Sequence, residues 1–190
     1  VLAEVNAMAA TKPEDSTDYK SMSMSALSRN IVNTHHAYLR QEFPRLGALV
    51  TKVARVHGEH RPELVQLAQV FNDFTAELGQ HMMKEEQVLF PLCETLESAQ
   101  SLPEFHCGSV DNPIRVMEQE HDRAGDALQT MRTLTHGFVP PEEACNSYRA
   151  MLHGLAELEK DMHQHVHKEN NILFPRAAAR ERELRAGSAA

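Results

Sequence analysis

At 190 residues the chain fits one domain of ordinary size with a real core, and no second core is expected. A balance of 19 Lys+Arg against 27 Asp+Glu, a net charge of -8, argues against a phosphate backbone or an anionic membrane surface as a partner. Charges or His interrupt every apolar run well short of the roughly 20 residues that a membrane-spanning helix needs, so the expectation is no nucleic acid and no membrane. The three cysteines, Cys93, Cys107 and Cys145, are widely spaced without a CxxC pair, which points to a reducing compartment, the cytoplasm.

In chain order, Val1 to Met8 reads as the last turns of a helix, and Ala9 to Lys20, with Pro13, as a polar linker. Residues 1–24 are therefore expected to be a linker or the end of a preceding domain. The start is not basic and has no long apolar core, unlike an intact signal peptide. Helical periodicity then dominates from Ser25 to Ala179, broken at His57 to Pro62, Ser98 to Pro113 and His136 to Pro141. Four helices result, an all-α antiparallel four-helix bundle within a domain of 25–180. Residues 181–190 are expected to be a flexible tail, because the stretch from Arg180 carries no apolar face.

An inward seam in a bundle advances by alternating steps of three and four. The first helix gives Val32, His36, Leu39, Phe43, Leu46, Val50 and Val53. The second gives Leu64, Leu67, Phe71, Phe74, Leu78, His81, Glu85, Val88 and Leu92. The third gives Ile114, Met117, His121, Ala124, Leu128 and Met131, and the fourth Tyr148, Met151, Leu155, Leu158, Met162, His165, Glu169 and Ile172. Each seam carries one His, and two add a Glu one turn later. Unpaired buried carboxylates cost several kcal/mol, and a metal removes that cost. The candidate metal ligands are His36, His81, Glu85, His121, His165 and Glu169. The remaining eight His fall off the seam or in the breaks and are expected to be non-ligands, with His35 at the surface. Cys93 and Cys145 read as buried or half-buried small residues, and Glu77 and Glu120 as residues that line a channel, support a ligand or face solvent.

The segment from His81 to Pro91 recurs 84 residues later as His165 to Pro175, identical at six of eleven positions, including both members of HxxxE. That spacing stacks imidazole and carboxylate on one helical face. His36 and His121 are offset by 85, so the chain reads as two helical hairpins, each delivering two His and one Glu. The first turn lies about equally far from His36 and His81. The second lies closer to His121 than to His165, a mismatch of roughly 10 Å at 1.5 Å per residue that a climbing loop must absorb. Pro44, Pro91 and Pro175 fall inside helical patterns and are expected to bend or end them.

Four His and two Glu suit two ions, each with two imidazoles, bridged by both carboxylates and a solvent-derived oxo or hydroxo group. Mixed nitrogen and oxygen ligands with open positions favour iron or manganese over a closed zinc site, iron first. A ferritin-like site needs two ExxH motifs; the chain has one, Glu118 to His121.

These residues resemble hemerythrin-like domains, and among them the di-iron iron–sulfur cluster repair proteins, from about Ala26 to Arg176. The carriers are His35-His36-Ala37-Tyr38-Leu39-Arg40, His57-Gly58, His81 with Lys84-Glu85-Glu86 and Leu89-Phe90-Pro91, Pro113-Ile114, Met117 with Glu120-His121-Asp122, and His165-Val166-His167 with Glu169-Asn170-Asn171 running into Leu173-Phe174-Pro175-Arg176. The resemblance implies the same six ligands, two non-haem iron ions, and restoration of iron–sulfur clusters damaged by nitrosative or oxidative stress, through iron donation or nitric oxide chemistry. It implies nitric oxide, oxygen or peroxide as small ligands and iron–sulfur acceptor proteins as partners, and it is compatible with a homodimer. It also implies a small preceding domain with a Cys-Cys pair, whose final helix Val1 to Met8 resembles. Oxygen-carrying hemerythrins use a further His and an Asp in place of one Glu, so this chain looks less like a carrier. An oxygen- or nitric-oxide-binding sensor or storage module is the alternative.

Overall fold

The computed structural model describes residues 18–187; the expected helix end and most of the linker fall on 1–17, outside the described residues. Four long helical rods run up and down in chain order, and there is no strand among the described residues. Rod α1 (24–57) joins Met24–Ile31, a π-helical turn Val32–His36 and Ala37–His57. Rod α2 (63–98) joins Glu63–Lys84, a π turn Glu85–Leu89 and Phe90–Ser98. Rod α3 is Asp111–Leu134, and α4 (146–187) joins Asn146–Lys168, a π turn Glu169–Leu173 and Phe174–Gly187. α1 packs against α2 and α4, and α2 against α3. This is the all-α bundle that the seams predict.

The α3 and α4 seams are buried at every predicted position. The α2 seam holds only as far as Glu85. Beyond it, Val88 is exposed and Leu92 half-buried, while Leu89, Cys93 and Leu96 fill the core. The cause is the π turn: the Phe90 N–H reaches five residues back to the Glu85 carbonyl, which adds one residue to the turn and rotates everything after it by one position. The equivalent bond in α4 runs from the Phe174 N–H to the Glu169 carbonyl; there Leu173, one position on, joins the predicted Ile172 in the core without displacing it. Pro91 and Pro175 follow immediately. A proline ring needs clearance from the preceding turn and has no N–H to give, and the widened turn suits both needs. Pro44 also sits inside continuous helix, so none of the three prolines ends its rod.

The buried apolar residues form two clusters. One runs from Leu39, Leu78, Met82, Ala124 and Met162 toward the loops at 58–62 and 135–145. The other gathers Leu27, Ile31, Leu89, Phe90, Met117, Leu173 and Phe174 at the opposite end. All six candidate ligands lie in the layer between them, one turn from each.

The second hairpin absorbs its mismatch in a climbing loop. α3 ends 13 residues beyond His121, whereas α4 begins 19 residues before His165; the loop 135–145 climbs the difference, roughly 9 Å. His136, Gly137 and Phe138 all have positive φ. The Phe138 N–H donates to the Thr135 hydroxyl, and its buried ring lies under the Arg132 guanidinium.

The stretch from Arg180, expected to fray, is helical to Gly187 and docked. Leu184 is buried in the second cluster. Arg180 donates to the carbonyls of Leu96 and Ala99, and the buried Glu181 accepts from the Ser109 hydroxyl and the Val110 N–H at the start of α3. A fixed polar anchor explains what the missing apolar stripe could not. Glu181→Ala would leave a buried N–H unpaired, so it is expected to lower the unfolding free energy by about 1–3 kcal/mol. Unchanged denaturant unfolding would show the segment to be a loose tail.

Candidate metal centre

The six candidate ligands converge in the middle layer, and none is more than 5% exposed. Two groups form: His36, Glu85, His165 and Glu169, and His81, Glu85, His121 and Glu169. Both carboxylates belong to both groups. Glu85 turns Oε2 toward His36 Nε2 at 3.3 Å and Oε1 toward His81 Nε2 at 3.1 Å. Glu169 turns Oε1 toward His165 Nε2 at 3.0 Å and Oε2 toward His121 Nε2 at 3.1 Å. Each carboxylate thus spans two positions, and each position draws one imidazole from each hairpin.

The imidazoles are oriented from behind. Carboxylates and amide oxygens only accept, so the Nδ1 atoms donate: His36 to Glu86 at 2.6 Å, His81 to Glu120 at 2.9 Å and His121 to the Asn170 side-chain oxygen at 2.9 Å. A neutral imidazole with its proton on Nδ1 presents a bare lone pair at Nε2. Yet His36 and His165 bring their Nε2 atoms to 3.2 Å, and His81 and His121 theirs to 3.0 Å. Two lone pairs at that distance repel unless a proton or a metal cation lies between them. Both oxygens of Glu85, and Oε2 of Glu169, are buried without a hydrogen-bond partner. Spacings near 3 Å also match the edge of an octahedron whose ligands stand about 2.1 Å from its centre. The donor set and its orphaned atoms fit two metal ions.

The internal repeat acquires a structural meaning. In the first hairpin Glu86 holds His36 and the Phe90 ring lies nearly parallel to it at 5.9 Å. In the second, Asn170 holds His121 and Phe174 stacks on it at 6.1 Å. Each copy of HxxxE therefore supplies two candidate ligands and, through the residue after its Glu and the Phe of Leu-Phe-Pro, fixes the lone His of the same hairpin.

Of the two carboxylates that the sequence left open, one supports a candidate ligand and one lies at the surface. Glu120 is half-buried and orients His81, while Glu77 is exposed. Arg40 donates to Glu86 at 2.6 Å, and Lys84 pairs with Glu120. His35 is buried, not at the surface: Asp161 accepts from its Nδ1 at 2.9 Å, and its ring stacks on His165. Its off-seam position gave no sign of this, because the π turn Val32–His36 brings neighbouring residues 35 and 36 into the interior together. Cys93 is buried as expected, but Cys145 is exposed, ahead of α4, with Sγ 3.5 Å from His57 Nε2. A cavity of about 700 Å³ opens beside the site, lined by His81, Glu120, Lys84, Glu77, Asp73 and Asp126 among others.

Among the protein groups alone, burial pushes the His81 pKa down, but Glu85, Glu169 and Glu120 outweigh it and raise the pKa to about 9. Burial and Glu85 compete in the same way at His36, with a net rise. Burial pushes the Glu169 carboxyl up, and His165 and His121 more than reverse this, holding it well below the usual carboxylate range. A raised His pKa gives stability that is complete below the ordinary value and lost as pH climbs through the raised one. For His81 that window runs from 6.5 to about 9. Metal-stripped protein is expected to lose melting temperature across it, while cation binding, which displaces the same protons, tightens. A flat melting temperature between those pH values would contradict these pairings.

Residues 28–177 match the model of the hemerythrin HHE cation binding domain. The chain is 39% identical over 167 residues to the iron-sulfur cluster repair protein YtfE of Yersinia pseudotuberculosis serotype IB (strain PB1/+), covering 88% of this chain and 72% of that one. It is likewise 39% identical, over 168 residues and with the same coverage of each chain, to the protein of that name from Pectobacterium carotovorum subsp. carotovorum (strain PC1). The chain belongs to the hemerythrin HHE cation-binding domain family, in the branch of the iron–sulfur cluster repair proteins.

Proposed function

We propose that this chain is a non-haem di-iron protein of iron–sulfur cluster repair, with His36, His165, His81 and His121 as terminal ligands and Glu85 and Glu169 as bridges. The observation that carries the reading is the sharing of both buried carboxylates between two His pairs, together with relatives named as iron–sulfur cluster repair proteins. A bound pair of irons would supply redox-active, Lewis-acidic centres and a stock of iron to give away.

The chain's own residues do the rest. The apolar clusters on either side keep water from the middle layer. Glu86, Glu120 and Asn170 hold three imidazoles in the tautomer that points a lone pair inward. The cavity at His81 is the opening for a small ligand such as nitric oxide, oxygen or peroxide. Its carboxylates, Glu120, Glu77, Asp73 and Asp126, line a route that suits a cation leaving for an iron–sulfur acceptor protein. The cysteine pattern supports a cytoplasmic setting, and no helix among the described residues is long and apolar enough to cross a membrane.

About two irons per chain are expected by elemental analysis of protein purified under low oxygen. His81→Ala and Glu169→Ala should each reduce that content sharply, and normal metal content in both variants would sink the site assignment. With the site loaded, iron is expected to move to an apo iron–sulfur acceptor. Retention of iron combined with a reversible, stoichiometric spectral change on exposure to nitric oxide or oxygen would favour a sensor over a repair protein.

A further inference from the structure

The two hairpins are related by an offset of 84 to 85 residues, and that relation extends behind the ligands. Glu120, next to His121 in the second hairpin, orients His81 of the first. Its counterpart, 85 residues earlier, is His35, next to His36 in the first hairpin, and His35 lies against His165 of the second. The partner of position 35 is therefore the one the repeat predicts, but the contact differs in kind. Glu120 accepts the proton of its imidazole. His35 gives its own Nδ1 proton to Asp161, the counterpart of Glu77, and meets His165 only by stacking, with ring centroids 5.4 Å apart and planes 3° from parallel. In consequence His165 Nδ1 is buried with no hydrogen-bond partner among the described residues, and so are His35 Nε2 and Asp161 Oδ2.

The four imidazoles are thus supported unequally. His81 has a carboxylate behind it and His121 an amide oxygen. His36 has a carboxylate, and His165 has nothing that accepts a proton. An acceptor on the far ring nitrogen makes an imidazole a stronger metal donor, and losing one typically costs 10- to 100-fold in affinity. Resting on the two-metal reading above, we propose that the two metal positions are inequivalent, that the His36–His165 position is the more weakly held, and that His35, fixed by Asp161, is the positioning residue responsible. Exposure does not account for the difference, because His36 and His165 are at least as buried as His81 and His121.

Titration of the metal-stripped chain with Co(II), followed by calorimetry and d–d absorption, is expected to resolve two steps about 10- to 100-fold apart in affinity. His36→Ala should lose the weak step and keep the tight one, and His121→Ala should lose the tight one. Asn170→Ala removes the acceptor behind His121 and should draw the tight step toward the weak. His35→Glu installs the carboxylate that Glu120 provides on the other side and should draw the weak step toward the tight, with circular dichroism confirming the fold of each variant. Two steps of equal affinity in the unchanged chain, or a tight step that survives His121→Ala, overturn the inequivalence and leave the two-metal site standing. Fewer than two cobalt ions per chain overturns the reading on which it rests.

Discussion

Two carboxylates, those of Glu85 and Glu169, are buried completely between two apolar clusters, and the rest of the molecule is arranged around making that tolerable. Among the described residues, the groups that face their oxygens are imidazoles. Removing a carboxylate from water costs several kcal/mol after relaxation, and four imidazoles that lend only lone pairs would not return it. Positive charge has to enter the layer, either as protons on the histidines or as cations. The raised pKa of His81 and the depressed one of Glu169 show the first solution at work among the protein groups. Cations are the second, and they make use of Nε2 pairs that protons would have to share.

The repeat and the helix irregularities serve the same end. An unbroken α-helix keeps a fixed face inward, so a residue one position off the seam points away. Each π turn sits at a candidate ligand, after His81 and His165 or up to His36, and brings adjacent residues into one layer. Glu85 and Glu86 illustrate the effect: the first turns both oxygens into the site, and the second reaches His36 from behind. Glu169 and Asn170 repeat the arrangement. The prolines that follow at Pro91 and Pro175 belong to the same device, since the wide turn accommodates rings that a regular helix would reject.

How far the sequence could be read follows from this. Helical rods, turns and the six converging side chains were legible because they depend on a regular advance of three and four, which α3 obeys throughout. Reading failed where the advance changes. Val88 and Leu92 fall on the inward seam of the sequence yet point outward, because the extra residue of a π turn leaves no mark in the pattern of apolar residues. His35 lies off the seam yet points inward for the same reason. The docked end of α4 differs: Arg180 and Glu181 anchor it through polar contacts with chain 71 to 84 residues away, and periodicity has nothing to say about such pairs. The supporting residues Glu86, Glu120 and Asn170 adjoin candidate ligands in sequence, so adjacency is a signal, but only the crossing of the hairpins shows which imidazole each one serves.

That crossing also bears on why the chain needs both copies of its repeat. Each hairpin owns two His and one Glu, the stoichiometry of one metal position, yet neither position is built from one hairpin. His36 pairs with His165 and His81 with His121, so an ion at either position would join the hairpins, and the two carboxylates would join the ions. A cation that binds only the assembled bundle stabilises it by an amount that grows with its concentration over its dissociation constant. Losing iron would therefore relax the contact between hairpins as well as empty the site. A bundle whose halves were held partly by bound iron would loosen as that iron left, so emptying the site and relaxing the protein around it would be one event.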